Sequence, residues 1–569
     1  MLINYCKNTY RFVGVNLNII FNIYFAISFL IIAIMLLSET VYNVQLSGYS
    51  IKSIFYNMFQ KLIANFLNVF MCAIIIIIVY ILNINSVYIN LIYLIVEVCV
   101  WLWAGNYFSF IFKIKYTKKI FRQLFMIVVF CVLLILSLFG CDSFYLAIGF
   151  PLIFFLLYIL YFLICLLLMP IEKLIGRHFL KLAKKKLMEN VKLTKIGITG
   201  SFGKTSTKEI LKNILMLEFG TLATPESYNT PFGISKTINE NLSNTHEMFV
   251  CEMGAKKQGE IKELCKLICV DVGIVTSVGR QHLNTFGSIT NIYKTKKELP
   301  DYLYKKFCVF NLMNDYVKIM YDEYLFEKIG VFLLVKRNIG SKRRLKKCLY
   351  DIKANSSTNN LKLFEFKKLN NVYAKNIALT SSSTEFDVYF GLKFVCRAKT
   401  SLLGSHNVIN VLLATAMALH LGVSDLNIER GISNTKNIKA RFEKFTNSNG
   451  AVIINNGYNS NLDSALYTLK ALNLFEVKNK VVVTPGLIEC KNDYVANFKF
   501  GKLLAKHCTE VIVVKQKNRE AIVRGLKSVG FDSKKIHIVD SFDSVREVLN
   551  KVTKDYVVLI ENDLPDNYK

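Results

Sequence analysis

Acidic residues are scarce in this chain of 569. Only 41 Asp and Glu stand against 71 Lys and Arg, a formal charge of +30. Such a balance first suggests nucleic acid. Much of the basic excess flanks apolar runs, however, where it reads as membrane topology and contact with anionic lipid, so nucleic acid is not expected as a partner. No C-x-x-C occurs among the 14 cysteines, which argues against a zinc site and a disulfide framework. Cys72, Cys99, Cys131 and Cys165 lie in apolar runs as small core residues, and an unpaired thiol set fits a reducing cytosol. Proline is rare at 7 while Asn, Ile and Lys abound, a bias of the genome more than of function.

Hydrophobic residues are what the chain has in quantity, 53% of the total. That is too apolar for a soluble protein and too polar for a pure transporter, so a membrane part joined to a soluble part is the simplest account. Residues 1–170 hold apolar runs near 17–37, 62–84, 88–112, 123–141 and 144–169. Each is about long enough to cross a hydrocarbon core of ~30 Å. Lys113, Lys115, Lys118, Lys119 and Arg122 sit between the third and fourth runs, and Lys173, Arg177, Lys181, Lys184, Lys185 and Lys186 follow the fifth. Both loops are expected to be cytoplasmic, giving a multi-pass membrane protein whose later domains lie in the cytoplasm. Lys7 and Arg11 then fall outside, against the rule. Glu97, inside the third run, is either a functional carboxylate or one facing a polar neighbour. Residues 171–190 are predicted as an amphipathic linker helix lying on membrane lipids, with Ile171, Leu174, Ile175, Phe179 and Leu182 on one face.

Beyond residue 190 short apolar runs alternate with helical patterns, the texture of an α/β fold with a mostly parallel sheet. Strands are expected at 195–199, 248–252 and 273–276. Residues 305–400 are less regular, with room for an antiparallel subdomain. Strands at 452–454, 481–484, 511–514, 536–539 and 557–560 predict a second, smaller doubly wound domain.

One stretch organises the rest. Ile196–Thr199 reads as a buried strand, Gly200-Ser201-Phe202-Gly203-Lys204-Thr205-Ser206 follows, and Thr207–Leu215 has helical spacing. Strand, glycine-rich turn, Lys-Thr and helix is the layout of a nucleotide phosphate loop. Gly200 and Gly203 free the backbone to aim N–H groups at phosphate, the helix N-terminus adds partial positive charge, Lys204 reaches the terminal phosphates and Thr205 can hold Mg²⁺. The strict form of that loop begins with a glycine where Ile198 stands here.

The form that is present, T-G-x-x-G-K-T-S, resembles the phosphate loop of the Mur ligases and folylpolyglutamate synthases. Further stretches resemble Mur ligase motifs in order. Val250–Ala255 with Gly259-Glu260-Ile261 resembles a segment whose strand-end Glu, here Glu252, binds Mg²⁺. Thr276–Ser288 resembles one whose His, here His282, binds a second metal. Tyr293–Leu299 resembles one whose Lys is carbamylated; the register puts this on Lys296, with Lys294 and Lys297 as alternatives. Thr224–Pro231 corresponds to a loop facing the γ-phosphate and acyl substrate. Leu403–Asn410 resembles the segment on which adenine rests, implicating Asn407 and Asn410. Arg441 in Ala440-Arg441-Phe442-Glu443 resembles the residue that reaches the γ-phosphate.

Asn455–Ser464 is similar to a stretch of the D-alanyl-D-alanine-adding branch. Tyr458, Asn459, Asn461 and Ser464 match, while Asn455 and Asn456 replace two acids and Leu462 a proline. Asn456 thus stands where an acid holds ribose or orients the amine.

The resemblance covers roughly 191–569 and implies an α-helical transmembrane region followed by a central P-loop ATPase domain, 191–440, and a Rossmann-like C-terminal domain, 441–569. It implies ATP and Mg²⁺, and an ATP-dependent acid–amino-acid ligase working through an acyl phosphate in peptidoglycan precursor synthesis. Lys204, Glu252, His282, Lys296 and Arg441 would be catalytic; Gly200, Ser201, Gly203, Lys204, Thr205, Ser206, Asn407, Asn410, Arg441 and Asn456 would bind nucleotide; Thr205, Glu252, His282 and Lys296 would hold metal. The amino-acid or peptide substrate would be UDP- or lipid-linked, since the membrane part stands where the family has a UDP-gripping domain. The alternatives are a ligase for another γ-linked or lipid-linked polyamide, and a nucleotide-binding membrane scaffold without turnover.

Overall fold

The computed structural model describes residues 34–63 in part, 108–138, 143–334 and 370–562, the last apart from 437, 459, 491, 515–517 and 541. The chain forms two compact units that divide after Arg177.

In the first unit, helices α1 (Phe108–Lys113), α2 (Lys118–Leu138) and the start of α3 (Ser143–Glu189) lie among the described residues. Ile120, Ile127 and Cys131 of α2 share a core with Leu157, Tyr161, Ile164 and Leu168 of α3. Arg122 grips Glu172 bidentately, Nε to Oε1 at 2.7 Å and Nη2 to Oε2 at 2.9 Å. Among the described residues one helical stretch, Leu157–Glu189, is long and apolar enough to cross a membrane by length and composition. Most of the three earlier runs, Glu97 included, lies outside the described residues.

The stretch expected as a linker helix at 171–190 forms the C-terminal part of α3. α3 runs unbroken from Ser143 to Glu189, although Pro170 forfeits one backbone hydrogen bond. Ile171, Leu174 and Ile175 of the expected apolar face stay exposed, and from His178 onward a different set of positions is buried. Ala183 and Leu187 pack with Ile234, Ile238 and Leu242, and Lys186 Nζ donates to the Asn239 carbonyl at 2.6 Å. Leu182 stays 44% exposed. The apolar stripe of a helix fixes a face only when its partner is known, and the partner here is helix α5 (Pro231–Asn241).

The second unit holds two sheets. The first has nine strands in the order β2-β3-β1-β4-β5-β6-β7-β8-β9. These are β1 (Thr194–Thr199), β2 (Thr221–Ala223), β3 (Met248–Glu252), β4 (Val272–Val275), β5 (Phe307–Asn311), β6 (Lys328–Leu333), β7 (Val372–Leu379), β8 (Thr384–Phe390) and β9 (Lys393–Thr400). β2 through β7 pair in parallel and β7–β9 form an antiparallel meander. Residues 305–400 therefore divide: β5 and β6 extend the parallel core, and only β7–β9 are antiparallel. Every residue of β3, β4 and β5 is buried, as strands covered by helices on both faces require. Helix α4 (Lys204–Leu215) follows β1 and buries Ile210, Leu211, Ile214 and Leu215 as one stripe. Also in this layer are α6 (Glu260–Ile268), α7 (Leu283–Phe286), α8 (Ile289–Tyr302), α9 (Asp315–Glu323), α10 (Ser405–His420) and α11 (Asp425–Ser433).

The second sheet has the order β10-β11-β15-β12-β13-β14 and is parallel except for edge strand β10. Its strands are β10 (Glu443–Thr446), β11 (Val452–Asn456), β12 (Asn479–Thr484), β13 (Glu510–Val514), β14 (Ile536–Val539) and β15 (Tyr556–Glu561). Helices α12 (Leu462–Leu472), α13 (Asp493–His507), α14 (Arg519–Lys527) and α15 (Phe542–Lys551) alternate with them.

Candidate active site

The C-terminal ends of β1, β3 and β4 open onto one crevice, the usual place for ligands in a parallel α/β sheet. β1 delivers the loop 200–203. Gly200 takes φ 152° and Gly203, the N-cap of α4, φ 84°. A Cβ on Gly203 would come 2.6 Å from Asn410 Oδ1, so the left-handed turn and the close approach of α10 both demand glycine there. The loop is braced from β4's end: Ser201 N donates to Ser277 O at 2.9 Å and Phe202 N to Ser277 Oγ at 2.8 Å. Ser201, expected to touch nucleotide, is 2% exposed and instead exchanges hydrogen bonds with the backbone of Gly279. Its hydroxyl is a loop brace in this state. Ser206 is buried in the first turn of α4.

Lys204 folds back so that Nζ donates to the Gly200 carbonyl at 2.9 Å. Burial lowers its pKa, Glu252 opposes that, and Arg441 adds to it. Thr205 donates its hydroxyl to Glu252 Oε2 at 2.8 Å, and Asn229 Nδ2 donates to Oε1 at 3.0 Å. Glu252 is 1% exposed. Arg441 crosses from the second sheet's entry: Nη2 approaches Thr205 Oγ1 at 3.4 Å, Nη1 donates to the Tyr458 carbonyl at 3.2 Å, and the guanidinium stacks 4.2 Å over the Tyr458 ring. Burial lowers the Arg441 pKa against the pull of Glu252.

Lys296, on α8, is 4% exposed. Its ammonium has no ion-pair partner among the described residues. Burial, then Lys204, drive its pKa down to about 7, while Glu298, Glu260 and Glu252 oppose. Glu298 and Glu260 are committed elsewhere, accepting backbone N–H groups of Gly259 and Lys262 and of Lys256 and Lys257. Lys294 is exposed on the same helix, and Lys297 pairs with Glu323 at 2.5 Å. Lys296 is thus the member of the trio whose amine is kept dry.

His282 is met by a loop of the second sheet. It caps α7 at φ 52°, and its Nδ1 is engaged by Glu489 of the β12–α13 loop. Among the described residues no three His, Cys, Asp or Glu side chains converge as a metal cluster. The oxygen pair of Thr205 and Glu252 nevertheless suits a hard cation such as Mg²⁺. Asn407 donates to the Leu403 carbonyl at 2.9 Å and accepts from Asn410 at 3.0 Å, and Asn410 accepts from Thr207 at 3.4 Å. Asn410 joins α10 to α4, Asn407 ties the start of α10 to Leu403 ahead of it, and both amides make these bonds within the protein. Asn461 and Ser464 form the capping box of α12, and Asn459 lies outside the described residues.

Two residues escaped the sequence reading. Lys208 is fully buried, and its Nζ donates to the carbonyls of Thr224 and Glu226, each at 2.6 Å. It ties α4 to the loop that carries Asn229. A lysine in helical register with Leu211 and Leu215 was the available signal. Glu561 is the second; it ends β15 with no local motif around it.

Comparison with known proteins agrees with this fold. Residues 198–418 match the Mur ligase middle domain. A UDP-N-acetylmuramoyl-tripeptide–D-alanyl-D-alanine ligase of Borreliella burgdorferi is 27% identical over 371 residues, 65% of this chain and 67% of that protein. The enzyme of that name from Mycobacterium leprae is 29% identical over 297 residues, 51% of this chain and 53% of its own. The match thus spans only about half to two thirds of these relatives. Among solved structures, MurF from Acinetobacter baumannii superposes with TM-score 0.55 at 21% identity, covering 68% of this chain and 77% of that one. MurF ligase from Thermotoga maritima in complex with ADP gives 0.54 at 21%, covering 68% and 80%. These two likenesses speak to the fold.

Proposed function

We propose that this chain, whose residues 198–418 match the Mur ligase middle domain, is an ATP-dependent ligase that joins a carboxylate to an amine through an acyl phosphate. The observation that carries the reading is the meeting of Lys204, Thr205, Glu252 and Arg441 at the head of α4. Backbone N–H groups of 203–205 at the head of α4 receive the ATP phosphates, while those of Ser201 and Phe202 stay bound to Ser277. A substrate carboxylate oxygen attacks the γ-phosphorus and ADP leaves; the amine then attacks the acyl carbon and phosphate leaves. Negative charge builds on phosphoryl and carbonyl oxygens, and Lys204 and Arg441 are placed to offset it. Thr205 and Glu252 would hold Mg²⁺, which when bound supplies charge neutralisation at the phosphates.

Lys296 is read as the carbamylated lysine. An amine with pKa about 7 is substantially neutral at physiological pH, and the neutral amine is the form that combines with CO₂. The resulting carbamate would turn a buried cation into an oxygen donor suited to a hard metal.

The substrate pair proposed is a muramoyl peptide and a D-alanyl-D-alanine-like amine, as the relatives' names state for those proteins. The apolar runs before residue 170 and their basic flanks support a multi-pass membrane protein with its ligase domains in the cytoplasm, and with them a lipid-linked acyl substrate as the second reading. The deciding experiment measures phosphate release from ATP by the full chain in detergent or vesicles, offered UDP-linked and lipid-linked peptides with a panel of amines. Release that depends on both a peptide acid and an amine supports the ligase reading. Absence of release across the panel refutes it, and the preferred peptide separates soluble from lipid-linked substrate.

A further inference from the structure

Asn456 ends β11 and sits in parallel register with Glu561 at the end of β15. Its Nδ2 donates to Glu561 Oε2 at 2.9 Å, and its Oδ1 accepts the Phe442 N–H at 3.2 Å. Glu561 is 0% exposed and also accepts the hydroxyls of Ser460 and of Thr468, the latter at 2.9 Å. No Lys, Arg or His forms an ion pair with it among the described residues. Burial raises its pKa, and the three hydrogen bonds work against that rise. An ionised carboxylate only accepts hydrogen bonds, so everything around Glu561 must donate. A second carboxylate at 456 would face it unscreened. An amide there satisfies both sides, donating to Glu561 and accepting from Phe442.

The Phe442 N–H matters because of its neighbour. Ala440 and Phe442 both take positive φ, 55° and 56°, and flank Arg441. Such a backbone persists only when its surroundings over-determine it. Two side chains do so: Glu443 Oε2 accepts the Ala440 N–H at 2.9 Å, and Asn456 Oδ1 accepts that of Phe442. The turn so held is what presents Arg441 to Thr205.

We propose that Glu561 and Asn456 form a matched carboxylate–amide pair that positions Arg441 over the loop 200–206, with Glu561 as a positioning residue that touches no substrate. The consequence for nucleotide rests on the ligase reading; the pairing itself does not.

The test uses the full chain with N456D, E561Q and N456D/E561Q, reading melting temperature and the preference for a β,γ-imido ATP analogue over ADP. N456D sets two carboxylates against each other and should lower the melting temperature and cut the preference by about tenfold, the loss of one charge-assisted hydrogen bond. In the double variant the two chemistries are exchanged. The carboxylate now at position 456 accepts from the Phe442 N–H and from the amide now at position 561, and both readouts should recover. A double variant no better than N456D overturns the pairing. Recovery of melting with an unchanged nucleotide preference throughout overturns the positioning role. If the wild-type chain binds neither nucleotide, the ligase reading falls, and the pairing stands or falls on the melting cycle alone.

Discussion

Thr205 and Glu252, 47 residues apart in sequence, meet through a 2.8 Å hydrogen bond that ties the first turn of α4 to the end of β3. The hydroxyl and the carboxylate present oxygens to the same point beside the phosphate loop. Lys204 and Arg441 approach that point as cations, one from within the loop and one from the entry to the second sheet. Substitutions at and around this point have distinct expected outcomes.

Lys204→Ala should abolish ATP turnover while leaving the fold intact. The side chain makes one hydrogen bond, to Gly200 O, and its main service is charge compensation at the phosphates. Circular dichroism and phosphate release check it together; undiminished release in a folded variant would sink the assignment of the loop.

Lys296→Ala should lose activity, and short added carboxylates should restore part of it by supplying the missing oxygens. Intact mass should show one carbamate in CO₂-containing buffer. A free ammonium at Lys296 in an active enzyme contradicts this.

The same residue predicts a pH dependence of stability in CO₂-free buffer. Its folded pKa of about 7 lies below the ordinary 10.5, so the unfolded chain binds more protons between those values. Stability contributed by this group therefore rises with pH from about 7 to 10.5 and is flat below. Lys296→Met should flatten that part of the profile, measured by urea unfolding at several pH values. An identical slope in the variant means the amine is not buried as described.

Gly203→Ala should destabilise by about 1–3 kcal/mol, the usual size for strain at a position that requires positive φ. The new methyl also meets Asn410 Oδ1, so α10 must shift and nucleotide affinity should fall with stability. Wild-type melting and affinity in the variant would show that the loop is looser than its φ of 84° indicates.

Lys208→Met should cost about 3 kcal/mol, since two buried carbonyls, of Thr224 and Glu226, lose their donor. Faster proteolysis or amide exchange confined to 224–229, at unchanged exchange in β1 and β3, would mark release of the loop. Uniform exchange would place the effect in the core instead.

Much of the second unit was legible in the order of residues. Strands β1, β3, β4 and β11–β15 fall within one or two residues of the expected positions, because buried parallel strands are short continuous apolar runs bounded by breakers. The strand, glycine turn and helix around 200–206 were legible too, since their signals are local: glycines, a lysine and a hydroxyl within seven residues. Residues 305–400 were less so, because β5 and β6 belong to the parallel core only by virtue of strands distant in sequence.

What the sequence determined by itself, then, was local: which runs are strands, which turn has the layout of a phosphate loop, and which family the motifs resemble. Tertiary structure alone decided the partners. It set Glu489 on His282 across 207 positions, Glu561 on Asn456 across 105, and Lys208 on the carbonyls of Thr224 and Glu226. It also turned Ala183 and Leu187, rather than Leu182, toward the core. Periodicity reports that a side chain has a buried face, but hydrogen-bond acceptance and burial depend on what the returning chain places opposite. A buried carboxylate such as Glu561 is tolerable only because three donors from other segments converge on it.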